Sequence, residues 1–379
     1  MTMHKGLAGV VVDETAISYV NQETNSLTYR GYPVQQLTKR CSFEEVAYLI
    51  LHGELPDASQ LERFTAAERA GRGLPRSLTD TLRRLPESSH PMDALRTAVS
   101  HIGAEDPLED SNRPKHNVAK AVSLFAKLPT VVAAEQRRRN GLEPIAPDPA
   151  RGFAENFLYM CGHTSPATEI VDAFETSLIL YAEHGFNAST FTARVVTSTL
   201  SDFYSSVIAA IGALKGPLHG GANEAVMHMM EEIGDPSRVS DWLDEALAKR
   251  RVIMGFGHRV YKHGDSRVPI MKQALWEVAG HHRDGARLTE IYRILADRML
   301  TAKNLHPNLD YPAGPAYHLM GLDIPIFTPV FVMSRITGWS AHIIEQLEAN
   351  TLIRPLSHYS GVAERSIPVM TRTHRKATT

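Results

Sequence analysis

The sequence predicts an all-α fold. Apolar residues recur at helical spacing along most of the 379 residues, helix start and stop signals bracket those runs, and the strand–helix–strand alternation of a parallel sheet is absent.

The elements follow in order. The first thirty residues carry short alternating pieces, such as Ser26-Leu27-Thr28-Tyr29-Arg30, closed by Gly31-Tyr32-Pro33, which predict one small hairpin at most. Ser42 with Glu45 three residues later makes a capping box, Phe43, Val46, Ala47 and Ile50 repeat at helical spacing, and Gly53 and Pro56 end that helix. Residues 91–102 and 117–139 repeat the pattern, and Pro129 is expected to kink or break the second. Arg137-Arg138-Arg139, ahead of Asn140-Gly141, reads as the solvated cap of a helix end. The most apolar stretch is 172–214. Within it Val195, Val196, Thr199, Leu200, Phe203, Tyr204, Val207, Ile208, Ile211 and Leu214 cover most of a helix's circumference, the pattern of a helix buried centrally or in a subunit interface. Beyond Gly216-Pro217 the helices are shorter and more charged, at 224–233, 242–249, 267–279 and 288–300, and apolar density rises again over 324–347. This predicts a large helical domain, residues 1–218 with 321–379, and a smaller helical domain, residues 219–320, inserted in it.

Composition bounds the function. A formal net charge of −2 carries no global signal for nucleic acid or a membrane surface. No run of about 20 apolar residues is present to span a bilayer, and the N-terminus lacks a secretory signal pattern. Two cysteines, Cys41 and Cys161, cannot build a disulfide framework or a Cys-rich zinc site, and their scarcity fits a reducing cytoplasm. His219 and His228 are nine apart, His281 and His282 are adjacent and point apart, and no metal-binding histidine pair occurs. Gly255 and Gly257 lack the third glycine and βαβ frame of a dinucleotide site, and neither a phosphate-loop Gly-Lys-Ser/Thr nor a Gly-x-Ser-x-Gly elbow occurs.

Four segments combine Gly or Pro with ionisable residues and are expected in turns between helices: 183–190, 216–223, 255–269 and 307–314. They assemble histidines, one carboxylate and several arginines. That set suits removal of a proton alpha to a carbonyl. A carboxylate is the base, a neutral histidine stabilises the enolate oxygen, and arginine forks bind carboxylates. His219 precedes a helix expected from Asn223, whose backbone N–H groups would keep the imidazole uncharged. Arg335, in the middle of an apolar helix, requires an anion, either an internal partner or a ligand. Arg354 before Pro355 reads, alone, as a surface residue.

Taken together, Gly-Pro-Leu-His219-Gly-Gly-Ala-Asn, Gly-Phe-Gly-His258-Arg-Val-Tyr and Pro-Asn-Leu-Asp310-Tyr-Pro-Ala-Gly resemble the citrate synthase family. The likeness runs from Tyr29-Arg30-Gly31-Tyr32-Pro33 to Arg354-Pro355. His90-Pro91-Met92-Asp93 and the segment after His184 look like the shorter bacterial enzymes, particularly 2-methylcitrate synthases. The resemblance implies the two-domain helical fold, with the large domain forming a homodimer interface and residues 219–320 on the acyl-CoA side. Asp310 would be the base, His219 the enol stabiliser and His258 the group that polarises the ketone of oxaloacetate. His184, His258, Arg267, Arg335 and Arg354 would bind oxaloacetate, Arg354 from the other subunit. Ile253, Met254, Gly255, Phe256, Gly257, Arg259 and Lys262 would contact CoA, the two glycines by letting backbone approach it. No metal or prosthetic group is implied, and no extra N-terminal domain for nucleotide control is expected.

The acyl chain leans to propionyl-CoA, with residual acetyl-CoA use, and strict citrate synthesis is the alternative. The competing class is a catalytically silent helical scaffold, against which intact His219, His258 and Asp310 argue. A citrate-cleaving lyase would need a ligase region that this chain lacks.

Overall fold

The computed structural model describes residues 3–7, 9–261 and 264–367. Two compact units result: Thr15–Leu352, and the described parts of Met1–Glu14 with Ile353–Thr379. The second unit holds one 3-10 turn, Lys5–Leu7, and otherwise irregular backbone.

The larger unit opens with an antiparallel sheet of β1 (Ser18–Asn21), β2 (Ser26–Tyr29) and β3 (Tyr32–Pro33) in that order. Ser18 faces Tyr29 and Thr28 faces Pro33. The expected hairpin thus gains a third strand. Arg30 and Gly31 both take positive φ, 47° and 86°, in a two-residue turn that reverses the chain. Arginine is uncommon in that conformation, which hid the turn. Tyr29 is fully buried, and its hydroxyl donates to the Ile179 carbonyl at 3.0 Å.

Sixteen α-helices follow among the described residues. They are α1 (Val34–Arg40), α2 (Phe43–His52), α3 (Ala58–Gly71), α4 (Arg76–Arg83), α5 (Pro91–Ala104), α6 (Pro114–Arg139), α7 (Phe153–Cys161), α8 (Thr168–Tyr181), α9 (Ala188–Ser198), α10 (Phe203–Leu214), α11 (Ala222–Ile233), α12 (Val239–Ala248), α13 (Val268–Ala279), α14 (Gly285–Lys303), α15 (Asp310–Leu319) and α16 (Phe327–Glu348). The fold is all-α.

Helix α2 begins with the expected reciprocal cap. Ser42 accepts from the Glu45 N–H, and Glu45 accepts from that of Ser42. Gly53 closes it in the left-handed conformation. Two expectations are corrected. Helix α6 runs through Pro129 without a break. Proline removes one backbone bond at a cost of about 3 kcal/mol, and here that cost is offset because Leu124, Phe125, Leu128, Val131 and Val132 are all buried. The apolar stretch around 195–214 is two helices, not one. Leu200 turns the chain at φ 64°, and Asp202 caps α10 by accepting from the Ser205 N–H at 2.8 Å. Periodicity carried on across the turn and masked the cap.

Helix α16 is the axis of the unit. It packs on α6, α9, α10, α2 and α8, and residues 327–343 are buried without a gap. By length and composition α6 is the one described helix apolar enough to cross a membrane, but most of that apolar window is buried against its neighbours. At Arg137–Arg139 the side chains hold local groups: Arg138 pairs with Glu135 at 2.6 Å, and Arg139 donates to the Ser89 carbonyl at 3.2 Å.

Helices α11 and α15 cross closely, and Gly314 makes that possible: a Cβ there would lie 2.7 Å from the Asn223 carbonyl oxygen. This crossing sets the spacing between the turn before α11 and the start of α15. Gly314→Ala is expected to cost about 1–3 kcal/mol as the two helices are forced apart. A thermal unfolding midpoint equal to that of the parent chain would contradict the assignment.

Candidate active site

Four loops meet around the N-terminal end of α15. The 255–257 backbone pairs with 306–308: Gly257 N–H donates to the His306 carbonyl at 2.8 Å and Asn308 N–H to the Gly255 carbonyl at 2.9 Å. Asn308 Nδ2 also donates to the Gly257 carbonyl at 3.1 Å, while its Oδ1 accepts from the Asp310 N–H at 3.1 Å. The loop bearing His258 and the residue opening α15 are therefore one construction. Gly255 and Gly257 have φ of 84° and 77°. A Cβ on Gly255 would strike Val226 at 2.7 Å and Tyr311 at 2.9 Å, so internal packing already demands glycine there, without any ligand.

Asp310 is partly buried at the head of α15, and its Oδ1 accepts from the Tyr181 hydroxyl at 2.7 Å. Burial pushes its pKa up to about 6, against the Tyr181 hydrogen bond and the nearby Arg267 charge. Tyr181 sits on Phe331, ring centroids 4.2 Å apart, and Phe331 in turn lies 6.1 Å from the His219 ring.

His219 stands in the turn between α10 and α11. The N–H that reaches it belongs to Ser189, at the start of α9, and not to the helix that follows it in sequence. This corrects the expectation of which helix polarises the ring. Because Ser189 N–H donates to Nε2 at 3.2 Å, Nε2 is the acceptor and the ring proton belongs on Nδ1. Ser189 Oγ lies 2.8 Å from the same nitrogen and accepts from Trp339 Nε1 at 3.1 Å. Burial, then the Arg335 charge, push the His219 pKa down to about 3.

His258 has the opposite polarity. Its Nδ1 accepts from the N–H groups of Val260 at 3.0 Å and Tyr261 at 3.1 Å, so its proton belongs on Nε2. Burial and Arg267 hold its pKa near 4, with Asp265 pulling the other way. His184 packs beside it, ring centroids 5.1 Å apart, with Nε2 3.3 Å from the Tyr261 hydroxyl. Burial, then Arg267 and His258, push His184 well below the usual histidine range.

The two buried arginines differ. Arg267 gives Nε and Nη2 to the Asp265 carboxylate at 2.9 and 2.7 Å. Its Nη1 has no hydrogen-bond partner among the described residues. Arg335, 1 % exposed, donates Nε to the Tyr181 carbonyl at 2.6 Å and lies over the Phe331 ring. It makes no salt bridge among the described residues. Burial lowers its pKa to about 10, although Glu183 works to raise it. Its terminal nitrogens suit an incoming carboxylate.

The structure thus gathers His184, His219, His258, Arg267, Asp310 and Arg335. Ile253 and Gly255 are buried, Met254 and Phe256 partly so, and Phe256 packs on Tyr311; Arg259 is exposed. Lys262 lies outside the described residues. Arg354 is exposed in the terminal unit. Among the described residues no group of three His, Cys, Asp or Glu side chains could hold a metal ion. Tyr181, Ser189, Tyr261 and Asp265 were not singled out from sequence. Asp265, two residues before Arg267, offered a signal; the hydroxyl of Tyr181, within an apolar run, offered none.

The histidines give the stability a pH sign. In the unfolded chain a histidine takes up a proton below about 6.5. In the folded chain His258 stays neutral to about 4 and His219 to about 3. Between those values the unfolded state binds more protons, so their contribution is intact above pH 6.5 and is lost as pH falls. Asp310 opposes one of them, since its folded carboxyl keeps its proton to about 6. His258→Gln is expected to flatten the decline of the thermal midpoint between pH 7 and 5, and an unchanged slope would contradict the assignment.

The family model described as citrate synthase, C-terminal domain, matches residues 6–356. The chain is 62% identical over 364 residues to 2-methylcitrate synthase of Mycobacterium tuberculosis, covering 96% of this chain and 92% of that protein. It is 60% identical over 365 residues to citrate synthase of Mycolicibacterium smegmatis, covering 96% and 97%. Among solved structures it resembles the ternary complex of carboxymethyl coenzyme A and oxaloacetate with citrate synthase from Thermoplasma acidophilum, with a TM-score of 0.92, 34% identity and coverage of 97% and 99%. The chain belongs to the citrate synthase family.

Proposed function

We propose that the chain condenses an acyl-CoA with oxaloacetate and hydrolyses the product thioester, releasing CoA and either 2-methylcitrate or citrate. The observation that carries this reading is a pair of neutral imidazoles of opposite polarity beside a carboxylate of raised pKa. Asp310 is the base that takes the alpha proton of the acyl group. His219 donates from Nδ1 to the thioester oxygen, its Nε2 being committed to Ser189. His258 donates from Nε2 to the oxaloacetate ketone and gives up that proton as the new carbon–carbon bond forms. Water then splits the thioester into acid and CoA. Neutral donors suit this chemistry because they stabilise charge where it develops.

The two carboxylates of oxaloacetate pair with Arg335, with the remaining edge of Arg267 and with His184, and with Arg354 across a homodimer. Ile253 to Gly257, Arg259 and Lys262 form the CoA side. No metal or prosthetic group takes part. Residues 219–320 move as the small domain, so that oxaloacetate binding draws the two domains together, creates the acyl-CoA site and shields the enol from water. The enzyme is assigned to the cytoplasm, in keeping with its two unpaired cysteines.

Propionyl-CoA is the favoured acyl donor. The relatives named above divide between the two activities, and the substrates differ by one methylene, worth about 1–3 kcal/mol in a pocket. Steady-state CoA release with oxaloacetate is expected to give the higher kcat/KM with propionyl-CoA. A higher value with acetyl-CoA would make this a citrate synthase, and release with neither from folded protein would overturn the reading. Asp310→Asn is expected to lower kcat by about 10²–10⁴-fold with little change in oxaloacetate affinity. Retention of parent kcat would remove Asp310 as the base.

A further inference from the structure

Behind the site lies a buried polar network that none of the steps above uses. Glu183 and His184 are consecutive, and their side chains go opposite ways. His184 enters the site, 3.3 Å from the Tyr261 hydroxyl. Glu183 turns into the helical core and is fully buried. Its Oε1 accepts from Ser18 Oγ at 2.9 Å, from the Gly185 N–H at 2.5 Å and from His342 Nε2 at 2.9 Å. His342, on α16, is also fully buried. Its Nδ1 receives Arg194 Nη1 at 3.0 Å, and a guanidinium only donates, so the ring proton must sit on Nε2 and point at Glu183. Arg194 Nη1 also donates to Glu345 Oε2 at 2.8 Å, and Glu345 Oε1 accepts from the Ala16 N–H at 2.8 Å. The network thus joins the edge of β1, the loop after α8, α9 and α16.

The fit is close. A Cβ on Gly338, one turn before His342, would lie 2.2 Å from Glu183 Oε2 and 2.6 Å from the Ala182 carbonyl oxygen. The loop is therefore held flush against α16 just where it delivers His184. Burying a carboxylate is costly, and well-packed apolar side chains would stabilise the core as well or better. What the charge adds is direction: three donors converge on one oxygen, one of them the backbone N–H of the residue after His184.

We propose that Glu183 and His342 are positioning residues for His184. They fix the loop so that its imidazole meets oxaloacetate without a reorganisation cost, and neither touches substrate. The inference rests on the reading of His184 as an oxaloacetate ligand.

His342→Leu and His342→Gln test it. Glutamine can still donate to Glu183 and accept from Arg194, whereas leucine can do neither. In the full-length protein, His342→Leu is expected to raise both the calorimetric Kd for oxaloacetate and its KM about tenfold, with kcat at saturation within about threefold of the parent. His342→Gln is expected to return both to within about threefold. A folded His342→Leu that binds oxaloacetate like the parent, or that loses kcat at unchanged KM, would overturn the inference. Should the leucine variant fail to fold, Ser18→Ala removes one of the three donors from a partly buried position. It is expected to raise the KM for oxaloacetate about threefold, and an unchanged KM would overturn the inference. No oxaloacetate binding by the parent chain would overturn both this inference and the proposed function; parent binding with an indifferent variant overturns this one alone.

Discussion

A guanidinium lies at the centre of the most buried helix of the fold, and the site is arranged around it. Arg335 sits near the middle of α16, with a backbone carbonyl and an aromatic face as neighbours. Holding that charge out of water costs several kcal/mol unless an anion offsets it. The described partners do so only in part, through Glu183 at a distance. The unspent charge falls on the neighbouring imidazoles of His219 and His184, adding to the burial that keeps them neutral. If Arg335 receives a carboxylate of oxaloacetate as proposed, that dianion relieves this electrostatic pressure, and the fold holds part of the recognition in advance.

Arg267 shows the contrast. Its fork is filled by Asp265, so most of its charge is answered internally and one edge is left over. One arginine is saturated and structural with a residual contact, the other under-compensated and available. Tyr181 connects this pair of problems to the chemistry. Its carbonyl receives Arg335 and its hydroxyl donates to Asp310, so the residue ending α8 touches both the buried guanidinium and the carboxylate.

Local chemistry was the legible part of the sequence. The cap at Ser42 and Glu45 and the glycine stop at Gly53 depend on neighbours a few residues away and read correctly, and α11 to α14 were placed with ends off by up to three residues. Pro129 misled because the penalty is local and the compensation, burial along α6, is not. The turn at Leu200 was hidden because apolar spacing ran across it. The donor to His219 was assigned to the next helix in sequence, whereas α9, thirty residues earlier, is the one that packs there. The site's loops were visible as clusters of glycine, proline and ionisable residues. Tyr181 sits in an apolar run, and although Glu183 and Ser189 lie in one of those loops, the partners that make all three orient the site come only through tertiary packing.

By these hydrogen bonds His219 and His258 are neutral and oppositely polarised before any substrate arrives. Nitrogen-15 NMR of histidine-labelled protein between pH 5 and 8 tests it directly, with His219→Gln and His258→Gln used to assign the signals. The signals assigned to His219 and His258 are expected to stay constant over that range, His219 protonated on Nδ1 and His258 on Nε2. Titration of either ring near pH 6.5, or the same tautomer at both, would contradict it.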